Sequence, residues 1–299
     1  MTCCRSAVKN IRLTGFRLVV LIVATAQAQE TEHLSKGENM ELVLIGVVAL
    51  LISGLTLFSG FGLGTILMPV FALFFPVPLA IAATAVVHFA NNIFKFGLMA
   101  KQADWRVVLR FGVPAAVAAM IGAAALNLFD KMPVIMSYSL DGSTFEVTVV
   151  KAVIGVLIIT FALLELSPRF QALAFPPRWL PLGGALSGFF GGLSGNQGAL
   201  RSAFLLKAGL SKDAFVATGV VSAIIVDVVR LAVYGTSVIV GHLAQSQELI
   251  APIAVGTTCA FIGSFVGKRM LQKVTFRAVQ IIVALAMLLI GAGLVCGLV

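Results

Sequence analysis

SGLTLFSGFGLGTILMP, from Ser53 to Pro69, and SGFFGGLSGNQGALRSA, from Ser187 to Ala203, are glycine-rich stretches set in otherwise apolar, helix-forming sequence. Glycine runs expose backbone N–H and C=O groups that lipid cannot satisfy. In a membrane they persist only where they line a cavity or pack on protein. Two of them at corresponding places in two halves are a pointer to a transporter's binding site.

Composition sets the class around them. Sixty per cent of the 299 residues are hydrophobic, 11% are charged and the mean hydropathy is +1.07, against about 25% charged for a soluble domain. Apolar runs of helix length follow one another with short polar breaks. The chain therefore reads as an all-α polytopic membrane protein whose environment is the lipid bilayer. The net charge of +9 is not a nucleic-acid footprint, because most basic residues lie in short loops, where they set topology. Cys3 and Cys4 lie near the N-terminus, while Cys259 and Cys296 are isolated in apolar segments. With no CxxC or Cys/His spacing, neither a metal site nor a disulfide framework is expected.

Residues 1–39 read as a leader or as the product of a mis-assigned start. Arg5, Lys9, Arg12 and Arg17 precede a short apolar run, Leu18 to Ala26, and the small-residue site Ala26-Gln27-Ala28, which is the layout of a signal peptide. Translation from Met40 is the other reading. Ten apolar elements follow, at approximately 41–58, 63–75, 79–100, 107–128 and 150–166, then 180–194, 197–209, 213–237, 249–271 and 275–298. The second of each five is short and begins at the glycine-rich break. The chain divides into a transmembrane repeat at 41–166, a linker at 167–178 and a second repeat at 179–299. A shift of 134 positions aligns Ser53 with Ser187, Gly54 with Gly188, Gly64 with Gly198 and Thr84 with Thr218 without gaps.

Loop charge sets the orientation. Lys101, Arg106 and Arg110 outweigh Asp104, Arg169 and Arg178 lie in the linker, and Lys207, Lys212, Lys268, Arg269, Lys273 and Arg277 mark two further loops. All of these are expected on the cytoplasmic side. The acidic 129–148 connection is expected outside. The assignments agree only if the short elements count as crossings. Five crossings per repeat then make the second repeat inverted, an architecture used by many secondary transporters.

Polar residues inside the spans carry the functional reading. Thr84, His88, Asn91, Asn92 and Lys95 recur every three or four residues, so one polar stripe on one helical face is expected. The counterpart element carries Thr218, Ser222, Asp227 and Arg230, and the last two are close enough to neutralise each other. Arg201 follows Ser194-Gly195-Asn196-Gln197-Gly198. There a helix N-terminus would offer free N–H groups and arginine would add a planar fork of donors, both suited to an oxyanion. Lys95, Arg201 and Arg230 against Asp227 leave two positive charges in surplus, which favours an anionic substrate. The substrate-contacting candidates are Gly62, Gly64, Asn91, Asn92, Lys95, Asn196, Gln197, Gly198 and Arg201. His88, Asp227 and Arg230 are the coupling or gating candidates. The structural alternatives are that Asn91 and Asn92 join helices, that Lys95 snorkels to the cytoplasmic side, that Arg201 snorkels or pairs with Asp227, and that Asp227 and Arg230 form a structural ion pair. No catalytic motif, metal site or cofactor is expected.

The glycine-rich start of each half resembles the TauE/SafE sulfite exporter family. The same holds for the Gly60-Phe61-Gly62-Leu63-Gly64…Pro69 pattern, the Asp104-Trp105-Arg106 loop and the Ile262-Gly263-Ser264-Phe265-Val266-Gly267-Lys268-Arg269 run. The resemblance spans about residues 41–298. It implies a permease of the bacterial inner membrane that moves sulfite, thiosulfate or organosulfonates, driven by an ion gradient or the membrane potential. Leu63 and Asn196-Gln197 stand where glycines are usual. Another small anion such as a carboxylate, or a non-transporting accessory role, are the alternatives. Self-association is left open.

Overall fold

The computed structural model describes residues 36–55, 63–140, 143–241, 248–270 and 276–298. Gly60, Gly62, His242 and most of the 1–39 segment lie outside the described residues.

All ten expected elements are helices. The first half holds α1 (Lys36–Leu55), α2 (Leu63–Ala72), α3 (Val77–Met99), α4 (Trp105–Asp130) and α5 (Val149–Leu166). A four-residue α6 (Pro168–Gln171) lies in the linker. The second half holds α7 (Leu180–Ser194), α8 (Gly198–Leu205), α9 (Lys212–Gly241), α10 (Ile250–Met270) and α11 (Phe276–Val295). Five of these, α3, α4, α5, α9 and α10, are long and apolar enough to cross a bilayer. The protein is an all-α polytopic membrane protein. Helix α1 begins at Lys36, inside the segment set apart as a leader.

The 129–148 connection departs from expectation. It holds a β-hairpin of β1 (Val134–Leu140) and β2 (Ser143–Thr148), antiparallel, with Tyr138 opposite Phe145 and Leu140 opposite Ser143. The sequence carried the signal, since Asp141-Gly142 between two β-branched and aromatic runs is a hairpin dipeptide. The hairpin is tied down where the Tyr138 hydroxyl donates to the Cys296 carbonyl at 2.5 Å, beyond the end of α11.

Helix pairing follows one rule applied twice. The first helix of each half packs most closely on the fourth helix of the other, α1 on α10 and α7 on α4. The third helices, α3 and α9, pack on each other, as do the fifth, α5 and α11. Small residues make this close approach feasible, because lipid supplies no hydrophobic drive between helices and van der Waals contact of backbones must replace it. A Cβ on Gly184, Gly188 or Gly192 of α7 would collide with the carbonyl oxygens of Phe111, Ala115 and Ala119 of α4. Gly263 and Gly267 of α10 meet Leu50 and Gly54 of α1 in the same way. On its other face α4 turns Leu109, Val113, Val117, Ile121 and Leu128 outward, large apolar side chains toward lipid.

Gly54, Gly188 and Gly192 of the two opening stretches are therefore packing surface. In the second stretch the chain break itself is confined to Gly195-Asn196-Gln197, between α7 and α8.

Candidate functional site

The break between α7 and α8 begins at Gly195, whose φ of +83° ends α7 in the left-handed conformation while its N–H donates to the Gly191 carbonyl. Only glycine adopts this geometry without strain. The Gln197 carbonyl then accepts both the Ser187 hydroxyl at 2.9 Å and the Arg201 N–H at 3.1 Å. Thus Ser187 fixes the break to α7. The side chains of Asn196, Gln197 and Arg201 are all buried. The Asn196 amide nitrogen has no hydrogen-bond partner among the described residues.

The first glycine-rich stretch reaches this break at Gly64. Gly64, in the first turn of α2, approaches the Gly195 carbonyl so closely that a Cβ there would lie 3.3 Å from the oxygen, and 3.6 Å from the His88 ring. On the opposite side, Gly195 faces the Arg230 guanidinium. The described part of the first stretch and the second break therefore converge, with charged groups of α3 and α9 around them.

Asp227 is the hub of those groups. It is fully buried on α9. Its Oδ2 lies 2.7 Å from His88 Nδ1 and accepts the Asn92 amide at 3.4 Å. Its Oδ1 accepts Arg230 Nε at 3.0 Å and Gln197 Nε2 at 3.3 Å, and Arg230 Nη2 stands 2.7 Å away in ionic contact. Gln197 turns its Oε1 to Arg201 Nη1 at 3.3 Å, so a single amide bridges Arg201 to Asp227. Arg230 also donates to the Gly191 carbonyl at 3.2 Å, and the Tyr234 hydroxyl donates to the Gly192 carbonyl. These two bonds tie α9 to the last turn of α7, where the Gly192 carbonyl is among those that a helix end leaves without intrahelical partners.

Lys95 lies two turns from His88 on α3 and is 6% exposed. Among the described residues no carboxylate lies within ion-pair distance of it. Arg201 is near enough for the two like charges to act on each other. The snorkelling reading of Lys95 and Arg201 does not fit their burial.

The single polar stripe expected on α3 is corrected. His88 and Asn92 turn toward α9, whereas Asn91 turns toward α1 and α10. Its amide donates to Ser53 Oγ at 3.0 Å and accepts from Ser264 Oγ at 2.9 Å, and Ser53 also donates to the Ala260 carbonyl at 2.7 Å. Asn91 sits in a satisfied knot that joins three helices. Thr84 Oγ1 has no hydrogen-bond partner among the described residues. Its repeat counterpart Thr218 accepts the N–H of Asp104 at 3.0 Å, and Asp104 caps α4 through the amides of Arg106 and Val107. The Asp-Trp-Arg loop is thus a helix cap locked to α9. Ser222 bonds its own helix at the Thr218 carbonyl.

Sequence reasoning missed two buried groups. Tyr234 was readable as the i+4 neighbour of Arg230 on an apolar helix. Glu165, 8% exposed near the end of α5, corrects the charge count to three positive and two negative side chains. It stands on a helix that packs mainly on α11, whereas Lys95, Arg201, Asp227 and Arg230 are gathered on α3, α8 and α9.

Apolar spans with charge gathered at a helix break define a multi-pass membrane protein with an interior ionic site. Residues 42–294 match the family described as Sulfite exporter TauE/SafE, and the chain belongs to that family, one of membrane transporters. Neither the curated proteins nor the solved structures gave a match.

Proposed function

We propose that the protein is a secondary transporter of the bacterial inner membrane that exports a small sulfur-containing oxyanion, such as sulfite or an organosulfonate, by alternating access around the two glycine-rich breaks. The two halves are inverted repeats in this reading. The observation that carries it is that Lys95 and Arg201 are both buried, beside Asn196 with its buried donor unpartnered among the described residues. Like charges held together inside a bilayer are stabilised by an anion between them. The α8 N-terminus adds the amides of Gly198 and its neighbours, aligned with a positive dipole end.

Roles divide by geometry. Lys95, Arg201, Asn196 and the first turn of α8 hold the anion, while Gly64 lets the backbone of α2 come close to the break. Gln197 links Arg201 to Asp227, Asn92 supports the same carboxylate, and His88, Asp227 and Arg230 couple occupancy to the arrangement of α9. Asn91 is spent on the knot with Ser53 and Ser264. On the side of the Lys101 and Lys207 loops, a cavity of about 540 Å³ lined by Gln102, Leu206, Leu210, Lys212 and Phe215 is a suitable cytoplasmic entrance.

The test is counterflow in proteoliposomes with sulfite, thiosulfate, taurine and simple carboxylates. Sulfur oxyanions should exchange fastest. Arg201→Ala and Lys95→Ala should each lower flux at least about tenfold, the scale of one lost charge-assisted hydrogen bond. Preferential carboxylate flux would change the substrate, and no anion flux at all would overturn the transport reading.

A further inference from the structure

Asp227 is itself an anion sitting among oxyanion donors. Its two oxygens take the His88 ring nitrogen at 2.7 Å, Arg230 Nε at 3.0 Å, the Gln197 amide at 3.3 Å and the Asn92 amide at 3.4 Å. These donors come from α3, from the break and from α9. One of them, Gln197, is at the same time the bridge to Arg201. Gln197 and Arg230 are long side chains, so these two donors can be handed to a second oxyanion by rotation about their own bonds. A donor stands ready beside them, the Asn196 amide, 3% exposed and unpartnered among the described residues.

Resting on the anion-transport reading, we infer that Asp227 is a tethered competitor of the transported anion: carboxylate and substrate take turns on Gln197 and Arg230. Arg230 has the geometry to serve in this exchange. Released by Asp227, its guanidinium still holds the Gly191 carbonyl at the end of α7 through Nη1, beside Gly195, while Nε and Nη2, which face Asp227, are left for the substrate. The competitor gives the transporter a way to release its cargo. Three buried cations without a competing carboxylate would hold a small oxyanion strongly, and a carrier must let go as readily as it binds. Displacement of Asp227 by substrate also frees His88 and Asn92, so arrival of the anion at the break is felt on α3.

Sulfite binding to the purified full-length protein, measured by calorimetry beside sulfite counterflow, tests this. Asp227→Asn keeps the shape and removes the charge. It should bind sulfite at least about tenfold more tightly while counterflow falls at least about tenfold. Unchanged or weaker binding in folded Asp227→Asn, with the wild type still transporting, overturns the competitor role and leaves the transport reading standing. Wild type that neither binds nor moves an anion overturns both. Should Asp227→Asn not accumulate as folded protein, the wild type carries the same test. With aspartate carboxyls labelled with carbon-13, saturating sulfite must shift one aspartate carboxylate band in the infrared difference spectrum. An unchanged aspartate spectrum overturns the inference.

Discussion

His88 Nδ1 and Asp227 Oδ2 lie 2.7 Å apart, although 139 positions separate the two residues in sequence. The contact joins the third helix of one half to the third helix of the other, and the carboxylate it uses is also paired with Arg230 at i+3. A local ion pair and a long-range one share a single side chain.

Removing one member of that set should be worse than removing two. Arg230→Ala leaves Asp227 buried with less compensation, and breaking a buried pair from one side costs about 3–5 kcal/mol. The double variant Arg230→Ala with Asp227→Ala removes the uncompensated charge. Its thermal midpoint in detergent should lie above that of Arg230→Ala alone, and a lower midpoint would show that the pair is not coupled.

The Asn91 knot and the Asn92 contact should separate in kinetics. Asn91→Ala takes a partner from both Ser53 and Ser264, so folded yield and thermal stability should drop by about 1–3 kcal/mol with little change in the half-saturating substrate concentration. Asn92→Ala touches the Asp227 hub and should change half-saturation with less effect on stability. Counterflow against substrate concentration, run beside thermal unfolding, checks both.

Glycine substitutions should split by what their Cβ meets. Gly188→Ala directs its methyl into the Ala115 backbone, so α4 and α7 must part, at a cost of about 1–3 kcal/mol or more. Gly97→Ala meets nothing within 4 Å and improves helix propensity, by up to about 1 kcal/mol. Thermal midpoints of the two variants should move in opposite directions.

Orientation is open to labelling. In a background without the native cysteines, Ser139→Cys in the hairpin should react with an impermeant maleimide added to whole cells. Arg169→Cys in the linker should react only after permeabilisation. The reverse pattern would turn the protein over in the membrane.

The fold was legible because bilayer physics acts on local sequence. Apolar runs and their polar gaps located all ten helices, since each span must satisfy its own backbone. The hairpin was overlooked because a reading tuned to apolar runs passes over alternation in a polar connection. The site was legible by residue type rather than by geometry. Arg201, Lys95, Asp227 and Arg230 were apparent because charge is rare in such helices. That Asn91 and Asn92 part company was not apparent, because they are adjacent and helical spacing does not say which neighbour each will face.

By itself, the sequence determined the class of protein, the approximate places of its ten apolar helices, and the two glycine-rich stretches from which the reading began. Each of these follows from periodicity and composition over a few dozen residues. Only the tertiary structure decided that Gly54, Gly188 and Gly192 serve close helix packing, that the break in the second stretch narrows to Gly195-Asn196-Gln197, and that Gly64 meets it. It also decided which charges answer one another. Contacts between residues more than a hundred positions apart depend on how helices pair, and pairing in lipid is settled by backbone approach at small residues, which no single segment encodes.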